Sequence, residues 1–270
     1  MNNNPEHSAL LQFENLKKQT GVAHFVTTRK GGISKGPFSS FNLGNYSDDS
    51  PTNIYENRQI LSRMWYMDLS DFVIPHQTHS SNVLVIDKAF MKSSASEKIE
   101  ALYGVDATVT DLNEVFLCVT TADCVPILLY DKKQKIVAAV HAGWKGIVGG
   151  IIKNTVIRMS EVYNSDSSDI IASIGPSISQ KNYEVGDEVI SMFKEAGFNL
   201  SAVKYLNEQT NKWHIDLKKL SYNELVHLGV KPKLIEKSTL CTYDEPGLFF
   251  SARRQTIVSG RMLSGIKLID

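Results

Sequence analysis

Residues Thr120–Gly150, TTADCVPILLYDKKQKIVAAVHAGWKGIVGG, decide the fold class. Two β-rich apolar runs, VPILLY and KIVAAVH, flank the polar DKKQK, which is the pattern of a hairpin. The segment that follows, GIVGGIIKNTVIRMSEVY, reads as one helix despite its glycines. Cys124 stands just before the first run and His141 ends the second. Side chains of neighbouring strands converge at such boundaries. A metal site, a nucleophile with its base, and buried packing all suit this pair.

Outward from this stretch, strands and helices are interspersed. VAHFVTT alternates as a strand does and runs into a Gly/Ser-rich loop, RKGGISKGPFSSFNLG. SPTNIYENRQILSRMWYM opens with Ser50-Pro51 and has helical spacing. NVLVID, EVFLCVTT and DIIASIG read as strands, and VGDEVISMFKEAG as a helix with a glycine stop. KWHIDLKKLSYNELVHLGV gives a short strand and then a helix from about Asp216. KLIEKSTL and LFFSARR look like closing strands, while KAFMKSSASEKIEALYG is polar and weakly patterned. Adjacent strands often lack a helical crossover, so the expected class is α+β, with mixed β-sheets flanked by helices. The expected organisation is a flexible tail over residues 1–12 and a single catalytic domain over 13–270.

At 42% hydrophobic and 21% charged, the 270 residues fit a soluble globular protein. The 29 basic residues balance the 29 acidic ones, so bulk binding to nucleic acid or an anionic membrane is not expected. The N-terminus lacks a basic segment followed by an apolar one, and no apolar run is long enough to span a bilayer. Three cysteines, Cys118, Cys124 and Cys241, do not make a disulfide framework. A cytoplasmic monomer is the expectation.

His76 and His79 lie together in IPHQTHSSNV. With Cys124 and His141 they offer imidazoles and a thiolate, a ligand set suited to zinc and also to copper. Three protein ligands leave an open fourth position, as in catalytic zinc sites. A cysteine hydrolase with Cys124 as nucleophile and His141 as base needs no His79. A four-copper oxidase needs about ten histidines, and the chain has seven, while a single copper in the same His/Cys site keeps a laccase-like polyphenol oxidase open as an alternative. His76 could equally orient its neighbours. Asp106 and Asp123 are candidate acid–base or supporting carboxylates. Gly143 and Gly146 permit close backbone approach, and Arg29, Asn42 and Lys145 are candidate phosphate contacts. Cys118 reads as core, His214 and His227 as structural, and Arg253, Arg254 and Arg261 as a solvated edge.

Six motifs in order, HQTHSSNV, DATVTD, TTADCVPILLYD, VAAVHAGWKG, ASIGPSIS and CTYDEPGLFFSARR…SGRMLS, resemble the YfiH-type family. It is also called the DUF152, laccase-domain or polyphenol-oxidase family, and it includes bacterial YlmD-like proteins. The resemblance runs from VTTRKGG almost to the C-terminus. It implies an α+β domain similar to a bacterial toxin's cysteine deamidase domain, and a metal triad, usually zinc, on His79, Cys124 and His141. It also implies phosphorolysis of adenosine, inosine, guanosine and methylthioadenosine to base and pentose 1-phosphate, with adenosine deamination as a second activity. Purine nucleosides and phosphate are then the partners. Catalysis would fall to Cys124, His141 and Asp123, with Asp123 moving protons, and substrate binding to Arg29, Asn42, His76 and Lys145. The family usually has Arg where this chain has Lys145, and lysine lacks the bidentate fork.

Overall fold

The computed structural model describes residues 9–113, 115–256 and 258–270. Their strands are β1 (Leu10–Leu11), β2 (Val22–Thr27), β3 (Phe72–Val73), β4 (Val83–Val85), β5 (Ala107–Thr110), β6 (Phe116–Thr121), β7 (Val125–Asp131), β8 (Ile136–Ala142), β9 (Ile170–Ile174), β10 (Glu184–Val185), β11 (Lys204–Asn207), β12 (Lys212–Ile215), β13 (Ile235–Lys237) and β14 (Met262–Leu268). They form a sheet ordered β1-β2-β14-β6-β3, a second ordered β13-β9-β7-β8-β5-β4, and a small third ordered β10-β12-β11. The pairs β3–β6, β4–β5 and β13–β9 are parallel and the rest antiparallel. Both large sheets are therefore mixed, and the fold is α+β.

The hairpin β7–β8 pairs Val125 with Ala142 and ends at Asp131 opposite Ile136. The Asp131 carboxylate accepts the amides of Lys133 and Gln134, and Lys135 turns the chain at φ 53°. Every residue of both strands is buried. Because the strand period is two, their side chains divide between two cores. Ile127, Leu129, Ala138 and Val140 pack with Ile151, Met159, Leu217 and Leu220 from two helices. Leu128, Tyr130, Val137 and Ala139 pack with Val26, Leu117, Val119 and Ile266 of the five-stranded sheet. A sheet covered on both faces gives continuous apolar runs, which is why VPILLY and IVAAV show no alternation. The far side of the five-stranded sheet carries Phe25, Phe116, Cys118 and Leu263 against Leu61 of the helix Pro51–Trp65. The layers run helix, sheet, sheet, helix. Each large aliphatic side chain so buried contributes roughly 1.5–3 kcal/mol.

Three expectations change, and one weakly patterned segment is helical. The segment after His141 is two helices, Trp144–Val148 and Ile151–Tyr163, because Gly150 at φ 82° breaks the run. LFFSARR is a loop leading into the helix Ala252–Gln255, whose first turn Ser251 caps through the Arg254 amide; the closing strand is β14. KAFMKSSASEKIEALYG holds two helices, Lys88–Lys92 and Ala95–Ala101, capped by Asp87 and by a Ser94–Glu97 capping box. Of the expected tail 1–12, residues 1–8 lie outside the described residues, while Leu10 and Leu11 pair with β2. Among the described residues no helix is long and apolar enough to cross a membrane.

Candidate metal centre

The chain crosses from the five-stranded to the six-stranded sheet between β3 and β4, and again between β6 and β7. His79 lies in the first crossing and Cys124 in the second. His141, near the end of β8, sits opposite Pro126 of β7. The ligand atoms of the three residues lie within 4.8 Å of one another. His79 Nε2 is 3.7 Å from Cys124 Sγ, and the two imidazole centroids are 4.9 Å apart.

Asp106, fully buried just before β5, assembles this triad. Its carboxylate accepts the amides of Thr78, His79 and Ser80 at 3.0, 3.0 and 2.8 Å. Those bonds stabilise His79 at φ 63°, a backbone region that non-glycine residues seldom adopt. Asp106 Oδ1 is also 2.7 Å from His141 Nδ1. That contact commits Nδ1 and leaves Nε2 as the free ligand atom, as in metal-binding histidines supported by a carboxylate. Burial works against charge on Asp106, but His141 and the Ser80 and Thr78 amides outweigh it and hold the carboxyl at about 2. Gln77 anchors the same loop to β6 by exchanging bonds with the Thr120 carbonyl and amide at 2.8 and 2.7 Å.

Burial disfavours charge on both Cys124 and His141. Each nevertheless favours the other's ionised form, and Asp106 adds to the effect on His141. The thiol is shifted down and the imidazole up. Gly143 makes room for the cluster. A Cβ there would stand 2.6 Å from His79 Cδ2 and 3.2 Å from Cys124 Sγ. Two imidazoles, a thiolate and this cleared space fit a tetrahedral cation with one position open.

The triad forms part of the wall of a cavity of about 600 Å³. Asp123 reaches this wall too, at φ 93°, with its carboxylate engaged by Thr242 Oγ1 at 2.6 Å, Ser251 Oγ at 2.9 Å and the Arg253 amide at 2.7 Å. Those bonds fix the Cys124 turn to the segment 242–253. Three of the expected phosphate contacts lie elsewhere. Arg29 spends its guanidinium on the carbonyls of Ser39 and Pro246 and covers the Phe250 ring. Asn42 is buried and bonded to Ser47, Asp49 and the amides of Gly44 and Arg261. Lys145 is exposed beside the Trp144 ring. His76 stacks on Tyr46 at 3.5 Å, and Tyr46 itself reaches the cavity.

The cations that line the cavity are Arg58, Arg253 and Arg261. Of the expected solvated edge, only Arg253 is exposed. Arg254 is tied to the carbonyls of Thr242, Tyr243 and Phe249, and Arg261 is half-buried. Nothing in the sequence separates Arg58 from an ordinary helix arginine. Cys118 and Cys241 are buried, His24 accepts the Phe13 amide, and His214 contacts the Gln180 carbonyl.

The sequence model of the family described as multi-copper polyphenol oxidoreductase laccase matches residues 23–269. A purine nucleoside phosphorylase of Bacteroides thetaiotaomicron is 41% identical, over 96% of this chain and 96% of its own. Adenosine deaminase RL5, from an unknown prokaryotic organism, is 42% identical over 95% of this chain and 99% of its own. The crystal structure of Bacillus licheniformis YfiH superposes with a TM-score of 0.88 at 33% identity, covering 97% of each chain.

Proposed function

From the premise that this chain belongs to the YfiH-type laccase-domain family, we propose that it is a zinc-dependent purine nucleoside phosphorylase that also deaminates adenosine. The observation that carries the reading is the His79–Cys124–His141 triad at the wall of a cavity large enough for a nucleoside. The similar proteins named purine nucleoside phosphorylase and adenosine deaminase support it. The substrates are adenosine, inosine, guanosine and methylthioadenosine.

Zinc held by the triad supplies Lewis acidity toward water or a substrate oxygen. The chain's own residues do the rest. Asp106 keeps His141 in one tautomer and His79 in its turn. Cys124 contributes the anionic ligand. In phosphorolysis an oxygen of phosphate bonds to C1′ as the C1′–N9 bond breaks; the electron pair leaves with the purine, which takes up a proton. In deamination water adds at C6 and ammonia leaves. Asp123, with both oxygens engaged, is assigned the positioning of Cys124 rather than proton transfer.

The multi-copper description of the family does not favour a four-copper oxidase here. Such a centre needs about ten histidines, and the chain has seven, of which His24 and His214 have a ring nitrogen engaged by the backbone. The closeness of Cys124 to His141, with the thiol shifted down, favours a second reading, a hydrolase with Cys124 as nucleophile. Chelation separates the two: it abolishes turnover on the zinc reading and spares it on the thiol reading.

The test is incubation of zinc-loaded protein with adenosine, with and without phosphate, and chromatography of the products. Phosphate-dependent adenine and phosphate-independent inosine are expected. Recovery of adenosine, inosine and methylthioadenosine intact would overturn the reading.

A further inference from the structure

The cavity wall carries three guanidinium groups, on Arg58, Arg253 and Arg261, against the Asp123 carboxylate and the Cys124 sulfur, whose charge His141 offsets. That carboxylate is already engaged by two hydroxyls and the Arg253 amide. Arg58 forms no ion pair among the described residues. Half-buried cations left without carboxylate partners are costly to maintain unless something anionic joins them.

Both half-buried arginines are held by one short segment of the Gly-rich loop, Asn42–Gly44. The Leu43 carbonyl accepts Arg58 Nε and Nη2 at 3.3 and 2.9 Å, which leaves Nη1 without a protein acceptor among the described residues. Asn42 Oδ1 accepts the Arg261 amide at 2.9 Å, and the Leu43 amide donates to the Arg261 carbonyl at 3.1 Å. Gly44 lets the Arg261 stem pass, since a Cβ there would lie 2.5 Å from Arg261 Cγ. Arg261 Nη1 donates to the carbonyls of Ser259 and Gly260, so one side of its guanidinium is fixed by the backbone. The pair is thus oriented before any ligand arrives, with donors in hand.

We infer that Arg58 and Arg261 form the inorganic phosphate subsite of this cavity, oriented by Asn42–Gly44, with Arg253 at its exposed edge. The inference rests on the phosphorylase reading. It moves phosphate recognition away from Arg29, Asn42 and Lys145. Asn42 then acts through Arg261 rather than on the anion. Arginine suits the task because its fork donates two parallel hydrogen bonds to a phosphate.

The experiment is calorimetric titration of inorganic phosphate into zinc-loaded wild type, Arg58→Met and Arg261→Met, paired with the KM for phosphate in adenosine phosphorolysis. Loss of a charge-assisted contact weakens phosphate binding and raises that KM by about tenfold or more, while the zinc content stays at the wild-type level. If Arg58→Met fails to fold, Arg58→Lys carries the test, because it keeps the charge and stem but loses the fork. Wild-type phosphate affinity in these variants would overturn the subsite and leave the phosphorylase standing. A wild type that neither binds phosphate nor forms adenine would remove the phosphorylase reading and the subsite with it.

Discussion

At the scale of single residues, the site depends most on a group that binds nothing itself. Asp106 joins the His79 turn to His141 through four contacts, three from amides and one from an imidazole. Asp106→Asn removes the charge and presents an NH2 to groups that are themselves donors. Zinc affinity, measured by competition with a chromophoric chelator, should fall roughly 10–100-fold; unchanged affinity would show that His141 does not need this support. Gly143→Ala tests the cleared space. Its φ of −72° suits any residue, so the backbone is unstrained and the cost is the clash with His79 and Cys124. Zinc content should drop while the circular dichroism spectrum persists, and a fully loaded variant would refute the packing argument. The triad was legible in the sequence because histidine and cysteine are scarce, because Cys124 and His141 stood at strand boundaries, and because His79 lay just ahead of a strand. Arg58 and Arg261 were not, since common charged residues become a site only when distant segments meet.

At the scale of elements, β-runs and helical spacing were readable where burial imposes a period. The sequence reading failed where one backbone angle decides. GIVGGIIKNTVIRMSEVY keeps helical spacing across its glycines, but Gly150 adopts φ 82° and starts a second helix. LFFSARR has the composition of a strand, yet its first half is a loop and the Ser251 cap starts a helix at Ala252. Gly150→Ala separates conformation from crowding. The nearest atom to an added Cβ, Asn154 Oδ1, lies at an ordinary 3.8 Å, so the cost is the left-handed backbone alone, about 1–2 kcal/mol. Urea unfolding should show that loss, and Gly150→Asn, which tolerates the angle better, should recover part of it. Equal stability of the alanine variant would mean that the chain reaches the second helix by another route.

At the scale of the whole molecule, acid stability is coupled to the buried His24 on β2. It is 1% exposed, and its Nε2 accepts the Phe13 amide at 2.7 Å. That bond ties the segment leading into helix Glu14–Lys17 to the five-stranded sheet. Burial lowers the His24 pKa from 6.5 to about 4, and the Phe13 amide acts in the same direction because it occupies the lone pair that a proton would take. The folded state therefore holds the neutral imidazole, whereas the unfolded chain protonates near 6.5. The stabilisation is complete above pH 6.5, declines as pH falls, and is gone below about 4. Its full size is about 3 kcal/mol. Other groups titrate in the same window, and zinc binding has its own pH dependence. Both are common to wild type and His24→Gln, whose amide oxygen can still accept from Phe13. Urea unfolding of the two proteins at pH 7 and pH 4.5 isolates the histidine: wild type should lose more stability on acidification than the variant. Equal losses would exclude His24 as the proton acceptor and shift the acid sensitivity to the carboxylates and metal ligands.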